Sequence, residues 1–265
     1  MKYVLPCLLL CFFACQQTDQ KGAEDQAPAK PVVINPAAEG FNAEGSDPRA
    51  IALADEVMEA MGGREAWDKT RGIRWNFFGR RTLTWAKPWD KVRIDFHDQD
   101  LIVSANIDGT KGWAFKDGQM IANVEESVGW VKKARELWIN DSYWLVMPFK
   151  LKDDGVTLKY LGKDTTLDGR SAEVIELSFK GVGLTPNNKY HVFVDDSSKL
   201  VSQWAFYAKY DEEKSRFTLP WKDYQRYGDL LLSRERGEVD LTDIAVINDL
   251  GAEFFNEPIP LDTYK

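Results

Sequence analysis

Ile73-Arg74-Trp75-Asn76-Phe77, Leu83-Thr84-Trp85 and Val92-Arg93-Ile94-Asp95-Phe96 place a large apolar side chain at every second position. A period of two is the period at which strand side chains return to one face. Pro88 and runs of turn residues punctuate these segments. The gaps between them are of hairpin length, and a parallel neighbour would need a crossover of a dozen residues or more. The stretch therefore predicts an antiparallel meander with one apolar face.

Downstream the pattern continues. Leu101 to Ile107 and Trp113 to Phe115 precede a hairpin at Asp117-Gly118. Strands resume at Val156 to Leu161, Ala172 to Phe179, Tyr190 to Val194 and Leu200 to Tyr207. Three more are expected near Ser215 to Leu219, Asp223 to Ser233 and Glu238 to Val246. Helical spacing is confined to two places. Asp47 and Pro48 open a first helix through Ile51, Ala54, Met58 and Met61, which Gly62-Gly63 stops; Arg64 to Trp67 adds a turn. Val124, Val128, Val131, Ala134 and Trp138 form the stripe of a second. Two helices are too few to cover a long sheet, which must curl. The expected fold is mainly β with a few helices (α+β), a curved antiparallel half-barrel closed by helices. No convincing internal repeat is present.

The N-terminus differs from this domain. Met1-Lys2 precedes an apolar run from Tyr3 to Phe13 that is too short to span a bilayer, the pattern of a secretory signal. It ends in Phe12-Phe13-Ala14-Cys15, which resembles a bacterial lipobox, with Phe12 and Phe13 departing from the commoner Leu and small residue. The resemblance implies cleavage before Cys15 and lipid attachment to its thiol. The 3 Cys of the chain are Cys7, Cys11 and Cys15, so the mature chain would keep one and form no internal disulfide. Residues 1–14 are thus expected as a signal peptide, 15–45 as the lipidated Cys and a Pro-bearing tether, and 46–265 as a single ligand-binding domain. Gln16 lacks the acidic character that retains lipoproteins at the inner membrane, which points to a cell-envelope site at the outer membrane facing the periplasm.

Thirty-four basic against 42 acidic side chains give a net charge of −8, and no basic block exceeds short runs such as Lys132-Lys133. A nucleic-acid partner is therefore disfavoured. Chemistry is also sparse. His97 and His191 are far apart, no Cys pair or helical His pair occurs, and no Gly-x-Ser-x-Gly elbow is present. Asp195-Asp196-Ser197-Ser198 lacks the ligand spacing of a calcium loop and reads as a turn. Carboxylate pairs have no fixed spacing, so that class stays open, but Glu125-Glu126 and Asp153-Asp154 read as helix-start and turn charges. The expectation is a non-enzymatic protein with no cofactor and no metal.

The aromatic load is large: 10 Trp, 9 Tyr and 14 Phe. Bulky side chains at alternating positions either fill a core or prop open an apolar hollow. The candidate ligand-binding set is Trp75, Phe77, Trp85, Ile94, Trp113, Phe115, Trp144, Leu145, Met147, Phe149, Trp204 and Phe206. Tyr143 to Phe149, broken by Pro148, is either a lid or an ordinary loop packed over the core.

The lipobox, the Pro-bearing tether, the helix ending Met61-Gly62-Gly63, the meander with one helical break and Tyr143-Trp144-Leu145-Val146-Met147-Pro148-Phe149-Lys150-Leu151-Lys152 together resemble the lipoprotein-localisation-factor fold. The likeness covers about Asp47 to Glu257, and the chain beyond it through Lys265 departs from the shorter family pattern. The resemblance implies a half-barrel whose interior accepts a lipid or the acyl chain of a lipoprotein, with the bacterial membrane as second partner through Cys15. The alternative is a glycan-binding or glycan-processing envelope protein using exposed Trp and carboxylates.

Overall fold

The computed structural model describes Met1 and residues 35–263, and the latter belong to one compact unit. The signal, lipobox and most of the tether expected from the sequence, Cys15 included, lie outside the described residues. The unit opens with α1 (Pro48–Ala60) and α2 (Gly63–Lys69). A first run of strands follows: β1 (Gly72–Phe77), β2 (Arg81–Ala86), β3 (Lys91–Phe96), β4 (Leu101–Asn106), β5 (Gly112–Lys116) and β6 (Gln119–Met120). The long α3 (Val124–Val146) interrupts, and β7 (Val156–Thr165), β8 (Ser171–Phe179), β9 (Lys189–Asp195), β10 (Val201–Tyr207) and β11 (Phe217–Pro220) form the second run. Then come β12 (Lys222–Tyr227), β13 (Leu230–Glu235), β14 (Leu241–Val246) and the short α4 (Glu253–Asn256).

Every strand pairing is antiparallel. The fold of the described residues is mainly antiparallel sheet, as the alternation predicted, with four helices where helical spacing marked two. The meander divides into a seven-stranded sheet ordered β14-β1-β2-β3-β4-β5-β6, a five-stranded sheet ordered β11-β10-β9-β8-β7, and the β12-β13 hairpin. Two links join these pieces edge to edge. Trp221, between β11 and β12, keeps its backbone N–H on the Ser202 carbonyl at 2.9 Å, so one chain passes from the second sheet into the hairpin. The Glu235–Asp240 bridge connects β13 toward β14. β6 and β7 stand at free ends and do not pair, which leaves the array open.

Several boundaries differ from expectation. The single strand expected over Asp223 to Ser233 is the hairpin β12-β13, because Gly228 at φ 58° turns the chain. The apolar segment from Tyr143 is neither lid nor loop at its start. It is the last turn of α3, and Leu145, Val146 and Met147 are fully buried. Pro148 opens a 3-10 turn there, since it lacks the N–H that a continuing helix requires. Residues 35–45, expected as tether, lie on the domain: Phe41 enters the core, and Asn42 N–H donates to the Val156 carbonyl at 3.0 Å. Val124 and Val128, at the N-terminal end of the expected stripe, are exposed.

The first sheet's inner face is filled. Ile73, Trp75, Phe77, Leu83, Trp85, Val92 and Ile94 pack in one core with Leu53, Val57 and Met61 from the helical N-terminal region. Gly62 permits this approach. It takes φ 118°, and a Cβ there would meet the Asp229 carbonyl oxygen at 2.3 Å. Leu231 N–H then donates to the Met61 carbonyl, tying α1 to the hairpin. On the opposite face the C-terminal segment covers the sheet. Buried Arg93, paired with Asp95, donates to the carbonyls of Phe254 and Ile259 at 2.9 and 2.6 Å, and its guanidinium lies 4.2 Å from the Phe254 ring centre.

Candidate functional site: an aromatic cleft between α3 and the second sheet

α3 is set by its first turn. The Asn123 side chain accepts from Glu126 N–H, and Glu125 and Glu126 complement the N-terminal dipole. Twenty-three residues carry it about 35 Å, enough to cross from the first sheet to the second. Two arginines, the half-buried Arg81 and the fully buried Arg236, hold it in place. Arg81 on β2 grips Asp141 through two hydrogen bonds of 2.6 and 2.8 Å. Burial raises the Asp141 pKa, and the Arg81 contact opposes that rise. Arg236, after β13, donates to the Trp144 carbonyl at 2.6 Å and lies 3.7 Å from the Trp221 ring centre. Burial pulls the Arg236 pKa down to about 9.

Along α3, Arg135, Trp138, Ile139, Ser142 and Tyr143 recur at the spacing of one helical face. Opposite them, the β9-β10-β11 register aligns Tyr190 with Phe206 and Phe206 with Phe217 on one side of the sheet. Between helix and sheet lies a cavity of about 690 Å³, completed by Trp144, Trp204, Phe179, the 182–188 loop and the turn carrying Lys150, Asp153 and Asp154. That volume falls within the roughly 300–1,000 Å³ of small-molecule sites.

The wall is a continuous aromatic array. Tyr190 stacks on Trp204 at 5.0 Å, Phe206 on Phe217 at 5.1 Å, and Trp144 meets Trp204 edge-on at 5.0 Å. Tyr143 touches Tyr190 and Phe179 at 5.6 and 5.9 Å. Offset and edge-on pairs of this kind stiffen a surface beyond their area alone. Burial pushes the Tyr190 hydroxyl up to about 12 and raises Tyr143 well above its ordinary value, so both stay protonated. Charge is confined to Arg135, Lys150, Asp153 and Asp154, and Lys150 is paired with Asp153.

Of the residues expected from the sequence to bind ligand, Trp144, Trp204 and Phe206 line this cavity. Trp75, Phe77, Trp85, Ile94, Leu145, Met147 and Phe149 are buried in the main core and do not. Phe115 is buried elsewhere, and Trp113 is 44% exposed. The division has a simple cause. On the first sheet the apolar face is met by helices α1, α2 and α3 and packs solid, whereas α3 passes over the second sheet with space beneath it. Trp138, Tyr143, Phe179, Tyr190 and Phe217 were missed. The available signal was helical spacing through Trp138 and Tyr143 and the matched alternation of three strands.

The expected bland roles of the histidines agree with their contacts. His97 lies against Thr82 and Asn76, and His191 bridges Glu176 and Tyr207. Asp195 caps its turn by accepting from Ser197 and Ser198. Among the described residues no cluster of metal-ligating side chains occurs, and no helix is long and apolar enough to cross a membrane.

No family model matches the sequence, and no curated protein does. Among solved structures, the chain is similar to a DUF1329 family protein from Desulfovibrio piger, with TM-score 0.42 and 13% identity over 83% of this chain and 100% of the other. It is also similar to a domain from Vibrio parahaemolyticus provisionally described as an outer membrane lipoprotein-sorting protein domain. That match has TM-score 0.39 and 12% identity, over 77% of this chain and 97% of the other.

Proposed function

We propose that this protein is a non-catalytic cell-envelope lipoprotein that holds an apolar ligand, a lipid or the acyl chain of a lipoprotein, in the cleft beneath α3. The observation that carries the proposal is the cavity of about 690 Å³ walled by Trp144, Trp204, Tyr190, Phe206 and Phe217. Each methylene moved from water into such a site gains about 0.8 kcal/mol, so a long acyl chain gains on the order of 10 kcal/mol. A bilayer offers a similar gain, and exchange between the two is then nearly balanced. Attachment through Cys15 would keep the cleft beside the outer membrane on its periplasmic side.

Native mass spectrometry of the intact protein, purified gently from cells, tests this. Bound species in the mass range of lipids, displaced by added long-chain acyl compounds, are expected. A protein that emerges empty and takes up no acyl compound overturns the proposal. Saccharide-induced change in tryptophan emission without acyl uptake would favour a glycan-binding protein instead.

A further inference from the structure

The cleft lies under one end of the second sheet. Phe179 is the last residue of β8, Tyr190 the second of β9, Phe206 the last but one of β10 and Phe217 the first of β11. Two long connections leave that same end, residues 180–188 between β8 and β9 and residues 208–216 between β10 and β11. They differ in how they are held. In the second, Glu212 N–H donates to the Lys209 carbonyl, and Arg216 N–H donates to the Phe206 carbonyl. The Glu212 carboxylate also accepts from Ala208 N–H and pairs with Arg216. In the first, Lys180 N–H donates to the Gly155 carbonyl at 2.9 Å, and Asn188 N–H closes a turn on the Thr185 carbonyl. Among the described residues, 181–187 donate no backbone hydrogen bond.

This loosely held connection is also the one that reaches the ligand space. Val182, Gly183 and Leu184 line the cleft, and no residue of 208–216 does. Val182 is half-buried and rests against Gly155, where a Cβ would meet its Cγ2 at 2.7 Å. Leu184 is 45% exposed although it lines the cavity. Gly181 and Gly183 bracket Val182 at φ 71° and 73°, and a Cβ on either would meet nothing within 4 Å. Space does not demand glycine there; the left-handed backbone does. A segment with few contacts, two such pivots and an apolar tip opens locally at small cost.

Building on the apolar-ligand function proposed above, we propose that residues 180–188 are the gate of the cleft. Its tip, Val182-Gly183-Leu184, turns on Gly181 and Gly183. The turn lifts Val182 off Gly155 to admit a hydrocarbon chain, and the tip seats again once the chain is inside.

Stopped-flow uptake and release of cis-parinaric acid, read by energy transfer from the cleft tryptophans, measures both rates on the full chain carrying Cys15→Ser. Gly183→Ala adds a Cβ that touches nothing but disfavours the seated φ. It is expected to raise association and dissociation together by about 5-fold, with affinity held within about 2-fold. Leu184→Ser, at an exposed position, should also raise both, because it weakens the shut position. A fixed wall behaves otherwise: Gly183→Ala moves neither rate, and Leu184→Ser raises dissociation alone. Rates that stay level or fall in Gly183→Ala, or a rise confined to dissociation in Leu184→Ser, overturn the gate while leaving an apolar-ligand cleft. No uptake by the parent chain overturns both.

Discussion

Trp144, on the last turn of α3, meets Trp204 of β10 edge to face, with ring centres 5.0 Å apart and planes at 80°. This contact closes one end of the cleft and joins the helix to the floor beneath it. Trp204 is 1% exposed and also stacks on Tyr190, so its truncation should remove both packing and the binding surface. Trp204→Ala is expected to lower unfolding free energy by about 3–5 kcal/mol in urea titrations. Trp204→Phe should retain most of that stability.

Arg236 is fully buried and supplies hydrogen bonds to the carbonyls of Trp144, Ser233 and Glu235. Arg236→Ala would leave these carbonyls and a hole beside Trp221. A loss of about 2–4 kcal/mol is expected by chemical denaturation. Retention of wild-type stability would show that α3 is held without this contact.

Asp141 is buried against Arg81, and removing one member of such a pair strands the other's charge. Asp141→Asn should cost about 3–5 kcal/mol, and the further change of Arg81 to Met should recover part of it. A double-mutant cycle on unfolding free energies measures the coupling. Strict additivity would contradict the account of how α3 is anchored.

The pH dependence should centre on Glu173. Arg49 beside it, with Lys199 and Tyr160, holds its carboxyl at about 2 against an ordinary value of 4.5. A depressed carboxylate adds stability that is present above its unfolded pKa and lost as pH falls through the folded one. Wild type should therefore exceed Glu173→Gln by a constant margin above about pH 5, and the margin should vanish toward about pH 2. Asp95 and Asp141, raised by burial, act in both chains and cancel in the difference.

Much of the fold was legible in the sequence because strand alternation is local. Ile73-Trp75-Phe77 and Val92-Ile94-Phe96 announced both the strands and their buried face. The same alternation could not say whether that face meets a helix or a void. Trp75 and Trp204 occupy equivalent patterns and both are packed in the core, yet only Trp204 also lines the cleft. The difference is made by the path of α3, which depends on Arg81–Asp141 and Arg236–Trp144 contacts between residues 60 and 92 positions apart. The C-terminal cover over Arg93 was equally non-local.

The most direct measurement is the set of nuclear Overhauser contacts between a bound, isotope-labelled acyl chain and the protein's aromatic side chains. Contacts to Tyr143, Trp144, Tyr190, Trp204 and Phe206 are predicted. Contacts confined to Trp113 and other outer-surface aromatics, or none at saturating ligand, would contradict a binding cleft beneath α3.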